Sequence, residues 1–315
     1  MKKRNLIISG AIALVLILVI VTAIASTAPG SFKAGSSVVI GKGQTLTQAT
    51  NLLMQKGIIR SRFLFKVYAT ILGGTTGVRS GEYLFDRPES SLRVAKRLVG
   101  GQEGFPLVKV TIPEGSSSSD IADIITKAVP DFPKSEFALV ARQHEGYLFP
   151  DTYFWPTNVK PDRVVAEMRA LFDEKVKSVS RDIETYGKPL KDVIIMSSIV
   201  EREATSSEDR RIIAGILWKR LADGMALQVD APFYYLLKKA SADLTTDDLK
   251  LDSPYNLYTN RGLTPKPIAN PGLAAIRDTV NPKKTPYWYY LSDKDGVMHY
   301  AATLEGHVEN KRKYL

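Results

Sequence analysis

Residues 6–25 run without a single charged side chain, and Met1-Lys2-Lys3-Arg4 stands directly in front of them. As one helix, a run of this length reaches across the hydrocarbon core of a bilayer, and inside lipid a helix is one of the few ways to satisfy every backbone group. The feature decides the architecture, because the rest of the chain has to be built from one end of that helix. Basic residues ahead of the run keep that end in the cytoplasm and send the remainder across. The sequence therefore predicts a cytoplasmic N-terminus at residues 1–5, a transmembrane helix at 6–27, a linker at 28–37 and a body outside the inner (cytoplasmic) membrane. A cleaved signal peptide is the rival, since Ala23-Ile24-Ala25 has the small-residue pattern of a cleavage site. The apolar core exceeds the roughly 7 to 15 residues of such peptides, which favours a retained single-pass anchor.

The 315 residues include no cysteine, so disulfides, thiolate metal sites, thiol nucleophiles and a lipidated cysteine drop out. The length suits about two domains. A formal net charge of +10 asks for an anionic partner. Acidic lipid, an anionic wall polymer and nucleic acid would each answer, but no nucleic-acid-reading signature accompanies the charge, so nucleic acid is set aside. His144, His299 and His307 are far apart and none sits in an HExxH-type spacing, so no metal is expected. Neither a GxSxG elbow nor a complete dinucleotide or phosphate loop is present, and no cofactor is expected.

The patterning predicts an α+β protein. After the linker comes a strand at 38–40, then a helix opened by a Thr45/Gln48 capping box and stopped by Gly57. A second helix starts at Ser61, shows Phe63, Leu64, Val67, Tyr68 and Ile71, and ends at Gly73-Gly74; a strand follows at 82–85. This βααβ order within residues 38–104 resembles that of LysM domains, small modules that bind cell-wall glycans. Residues 105–315 form a larger α+β domain. It begins with a strand at 108–112 and a helix capped by Ser117 and Asp120, and includes an amphipathic helix pair at 164–186. Ser206 and Asp209 cap a further helix, and alternation at 225–230 predicts a strand with Gln228 and Asp230 on one face. A long Pro-, Gly- and Asn-rich excursion spans 253–272, and a hairpin turns at Lys294-Asp295-Gly296 ahead of a short basic helix.

Carboxylate chemistry is what the exclusions leave. The stretch KDVIIMSSIVEREA at 191–204 reads as a buried helix on which Glu201 continues the stripe of Ile194, Ser197 and Ser198, while Glu203 points elsewhere. An acid on an inward stripe is desolvated, its pKa rises, and it suits proton transfer near neutral pH. Equally, Glu201 can be a structural acid that turns to solvent or to Arg202 or Arg210. EGYLFPDTYFWP at 145–156 packs five aromatics between prolines and reads as a loop against a cleft, where ring faces would meet sugars. The other reading makes it a buried aromatic segment closing the core.

Taken together, EGYLFPDTYFWP, SSIVEREA with SSEDRRIIAGILWKRL, MALQVDAPFYY, SPYNLYTNRGLTPKPIANPG and KTPYWYYLSDKDGVMHYAATLEGH resemble the endolytic murein transglycosylases, the MltG/YceG-like family, in content and order. The pattern departs in one place, where Ala231 stands between Asp230 and Pro232. The resemblance implies a membrane-anchored enzyme that cuts the MurNAc-GlcNAc β-1,4 bond inside nascent peptidoglycan strands, leaves 1,6-anhydro ends and ends strand elongation. It implies Glu201 as the single acid/base, residues 105–315 as the catalytic domain, and cell-wall synthases as companions. Gln228, Asp230, Tyr255, Asn256, Glu145 and Tyr147 are the candidates for holding sugar, with Glu145 as reserve acid for a two-carboxylate hydrolysis. A scaffold that only tethers membrane to glycan is the competing function.

Overall fold

The structure is a computed structural model that describes residues 2–73 and 77–315. Met1, at the tip of the expected cytoplasmic stub, and Gly74, half of the expected helix stop, lie outside the described residues. The fold is mixed α+β, and the chain divides into two units, Met1–Pro106 and Leu107–Leu315.

The first unit opens with α1 (Lys2–Ser26). Its segment Ile8–Ser26 has a mean hydropathy of 2.9 and none of it is buried, long and apolar enough to cross a membrane. Strand β1 (Ser36–Ile40) pairs antiparallel with β2 (Gly81–Phe85), Val38 opposite Tyr83. Between and after them come α2 (Leu46–Gln55), α3 (Arg62–Gly73) and α4 (Ser91–Gly100). The Thr45 capping box forms, with Gln48 Oε1 accepting from Thr45 N at 2.8 Å. Inward residues of the strands, Val38, Ile40, Tyr83 and Phe85, meet Leu53, Phe65, Ala69 and Leu98 in one core.

In the second unit β3 (Leu107–Thr111) pairs antiparallel with β4 (Thr152–Pro156), Val110 opposite Tyr153. Helices α5 (Ser118–Ala128) and α6 (Lys134–Ala141) lie between them in sequence, and α7 (Pro161–Lys177), α8 (Ser180–Tyr186), α9 (Leu190–Glu203), α10 (Ser207–Ala222) and α11 (Ala231–Leu237) follow. After the long excursion come α12 (Leu273–Val280), the hairpin β5 (Tyr289–Ser292) and β6 (Met298–Ala301), and α13 (Leu304–Tyr314).

Two expectations change here. Residues 145–156 are not a loop on a cleft: the last five are β4, and strand alternation turns Tyr153 and Trp155 inward, stacked at 4.7 Å, while Phe154 is 60% exposed. With Leu148 and Phe149 also buried, the segment closes the core. Residues 225–229 are irregular rather than a strand, because their backbone is spoken for from outside: Gln228, at φ 51, donates to Leu257 O, and Arg220 donates to Leu227 O.

Helix α9 is buried on every side from Val193 to Val200, so it is a central helix rather than one with a single inward stripe. Its two serines return their hydroxyls to the helix backbone, Ser197 to Val193 O and Ser198 to Ile195 O, and Ser198 Oγ also accepts from Ile268 N.

Candidate active site

The end of α9 is where this central helix surfaces, and there it presents Glu201, Arg202 and Glu203, all half-buried, on different faces. Glu201 lies between the turn at Gly115 and the N-cap of α12 at Gly272. Its Oε2 accepts from Gly272 N at 2.8 Å, and Gly115, at φ 75, sits so close that an added Cβ would be 3.4 Å from Glu201 Cγ. Burial raises the Glu201 pKa; the Gly272 N–H opposes this and the charge of Glu114 adds to it. Arg202 donates to Gly115 O at 2.8 Å and stacks 4.0 Å over the Tyr234 ring.

Glu203 faces a trough of about 1080 Å³ lined by Gln228, Asp230, Tyr234, Tyr258, Tyr289 and Tyr290, with Arg220, His307 and Lys311 along it. Tyr290 Oη donates to Glu203 Oε2 at 2.9 Å, and Tyr258 Oη donates to Asp230 Oδ1 at 2.7 Å. Arg220, itself buried, is held by Trp288 O and Leu227 O at 2.8 and 2.6 Å. Burial pushes the Glu203 carboxyl up to about 7; the Tyr290 bond resists, the Asp230 charge adds, and the Ala231 backbone and Arg202 resist in turn. Such a group is both available as an acid and usable as a base near neutral pH. Tyr290, half-buried and desolvated beside that carboxylate, keeps its proton well above the usual phenol range.

Of the residues singled out from the sequence, Gln228 and Asp230 line the trough with Glu203. Asn256 does not face it: fully buried, it donates to Leu249 O and Leu251 O and accepts from Tyr258 N, which shapes the loop that brings Tyr258 in. Tyr255 packs on Tyr235 at 5.5 Å. Tyr147 packs edge-on against Phe172 at 5.1 Å with Arg169 over its ring. Glu145 is 2% exposed, and both its oxygens are occupied, by Ser118 N, Ser118 Oγ and Asn270 Nδ2. Burial raises its pKa to about 7 as well, and its bonds tie the start of α5 to Asn270, which is a structural task. Sequence reasoning set Glu203 aside as pointing elsewhere and did not single out Tyr258, Tyr290 or Arg220. The available signal was the second acid at the end of a buried helix, about 200° around the axis from the first.

Residues 38–313 match the model of the YceG-like family. The endolytic murein transglycosylase of Bacillus subtilis is 29% identical over 309 residues, covering 88% of this chain and 84% of that protein. Its counterpart in Streptococcus pneumoniae strain D39 is 27% identical over 321 residues, covering 89% of this chain but 58% of the longer pneumococcal protein. A crystal structure of a yceG-like protein from Listeria monocytogenes, 29% identical, superposes with a TM-score of 0.59 over 88% of this chain and 99% of that one.

Proposed function

The chain belongs to the YceG-like family, and on that footing we propose that it is a murein transglycosylase that cuts glycan strands internally, with Glu203 as its acid/base. One observation carries the assignment: a carboxyl with a pKa of about 7 opens onto a tyrosine-lined trough large enough for sugar rings. Glu201 is the acid the sequence favoured; half-buried between the Gly115 turn and the N-cap of α12, it accepts from Gly272 N, so we give it the task of holding residue 272 against α9.

In the proposed reaction Glu203 donates its proton to the oxygen of the MurNAc-GlcNAc β-1,4 bond as the C1–O bond breaks. The 6-hydroxyl of the same MurNAc attacks C1 and gives its proton to the Glu203 carboxylate, which leaves a 1,6-anhydro end and a free 4-hydroxyl. No water is consumed and Glu203 is regenerated. Asp230, steadied by Tyr258, faces the positive charge that develops at C1, and Tyr290 orients Glu203. Around this chemistry we place α1 as the membrane anchor, the body outside the cytoplasm, residues 38–104 as a LysM-like glycan-holding module, and a role in ending strand elongation beside wall synthases.

The test is mass analysis of fragments released from purified peptidoglycan by the full chain. Glu203→Gln should lower the rate of anhydro-ended release by about 10²- to 10⁴-fold with glycan binding intact, and Glu201→Gln should retain most of it. The opposite ranking would move the acid/base to Glu201. Binding without any anhydro product from the unaltered protein would leave only the tethering scaffold.

A further inference from the structure

The whole net charge of this chain lies ahead of its first acid. Residues 1–81 hold ten of the 43 lysines and arginines and none of the 33 aspartates and glutamates; the first acid is Glu82, and residues 82–315 balance. Lys2, Lys3 and Arg4 precede the apolar run, and the other seven follow it, from Lys33 to Arg79. Solubility alone does not ask for such segregation, since mixed charges serve it as well. A surface of one sign points to a partner of the other.

Helix α3 adds an independent observation. Its inner side is ordinary, with Phe65 and Ala69 buried in the core of the unit. Its outer side carries Phe63, 73% exposed, half-buried Val67 and Ile71, 76% exposed, which at i, i+4 and i+8 form one stripe. Arg62 and Lys66 run along one edge of that stripe. A surface helix of a soluble domain puts polar residues opposite its core face; this one is apolar on both sides with basic residues at the margin.

The end of α1 is tied to the same helix. Ser26, the last residue of α1, brings its hydroxyl to 3.0 Å from Tyr68 Oη on α3. Arg60, just ahead of α3, donates to Ala28 O at 2.9 Å. If α1 spans the bilayer, its last residue lies at the exit, and α3 is held at that level.

We propose that α3 is an interfacial helix: the stripe of Phe63, Val67 and Ile71 enters the boundary of the leaflet where α1 emerges, and the acid-free basic segment around it meets anionic lipid headgroups. The proposal rests on reading α1 as a membrane span. An anionic wall polymer would use the charge but leave the apolar stripe in water, whereas an anionic bilayer uses both. The first unit is then pinned to the membrane surface along a helix instead of swinging from a single point.

A chain without cysteine allows single spin labels to be placed cleanly. Full-length protein carrying Phe63→Cys, Ile71→Cys, Val39→Cys or Val15→Cys would be reconstituted into vesicles of phosphatidylcholine with and without phosphatidylglycerol. Collisions with oxygen and with a water-soluble nickel complex would then be compared by power saturation. Val39 is the reference, 63% exposed on β1, and Val15 reports on α1. Labels at 63 and 71 should favour oxygen over nickel, more strongly with phosphatidylglycerol present, and the label at 39 should show the reverse. Adding Arg62→Glu and Lys66→Glu should shrink the oxygen preference. Labels at 63 and 71 that behave like 39 while 15 stays in hydrocarbon would overturn the proposal and leave the anchor standing. A label at 15 found in water would remove the anchor and the proposal with it. Shielding of 63 and 71 by a soluble teichoic-acid polymer but not by lipid would assign the surface to the wall instead.

Discussion

Glu201 and Glu203 stand two positions apart on one helix, and what separates their chemistry is what each side chain meets. Glu201 accepts from the N-cap backbone of α12 beside the Gly115 turn, while Glu203 accepts a phenol, feels the Ala231 backbone as well, and borders open space. In the proposed mechanism Glu203 must be protonated at the start of each cycle, so kcat/KM should fall as pH rises through about 7. The hydroxyl of Tyr290 donates to the charged form of Glu203 and so holds its pKa down. Tyr290→Phe should therefore move the alkaline limb of the pH profile upward, and an unmoved or lowered limb would mean that the bond does not act on the catalytic group. Glu145 gives the structural counterpart. Its folded pKa of about 7 exceeds the ordinary 4.5, so the folded chain binds the extra proton. The stability it contributes is full below about pH 4.5 and declines as pH rises toward 7. Glu145→Ala would strand a backbone N–H, a hydroxyl and the Asn270 amide, at a cost of about 3 kcal/mol in urea unfolding. Glu145→Gln should flatten the slope between those pH values.

At the scale of elements, the caps and the hairpin were legible because their chemistry is local. Thr45 with Gln48, Ser117 with Asp120 and Ser206 ahead of α10 all form the expected bonds, and β5 and β6 turn where Lys294-Asp295-Gly296 predicts. The misread segments are governed by distant partners. Glu145 is claimed by Asn270, 125 residues away, and the backbone of 227–228 by Arg220 and Leu257. The position of the trough could not be read for the same reason, because it needs α9, the 253–272 loop and the β5–β6 hairpin in one place. Close approach between elements yields a further prediction. Alanine gains about 1 kcal/mol over glycine inside a helix, yet a Cβ at Gly215 of α10 would lie 2.2 Å from Lys283 O, a backbone atom that cannot step aside. Gly215→Ala should therefore destabilise, by about 2 kcal/mol. A Cβ at Gly272 would meet the Glu114 side chain first, at 1.8 Å from its carboxylate and 2.8 Å from its Cγ; that flexible chain can swing away, and φ there is an ordinary −74. Gly272→Ala should stay within about 0.5 kcal/mol, and thermal unfolding of the two variants should rank them clearly.

For the whole molecule, the proposed orientation of the body across a membrane depends on a thin margin. Topology follows basic residues within about 15 to 20 positions of the span ends. On that count Lys2, Lys3 and Arg4 oppose only Lys33 and Lys42. In the proposed topology, three against two keeps the N-terminus inside, since the first span usually sets the orientation, and it leaves little reserve. A phosphatase fused after Leu315, active only outside the cytoplasm, should be active in the unaltered chain. Replacing Lys2, Lys3 and Arg4 by glutamine should leave Lys33 and Lys42 dominant and divide the population, with a measurable loss of phosphatase activity. Retention of full activity would mean that orientation is set by folding of the exported body. The same fusion separates anchor from signal peptide. Cleavage after Ala25 would release a shorter product into the soluble fraction, whereas an intact span keeps the reporter with the membrane at full mass. The contacts just beyond that point, Ser26 with Tyr68 and Ala28 with Arg60, lie on the C-terminal side of the cut and are kept in either product, so the mass and fraction of the fusion decide between the two.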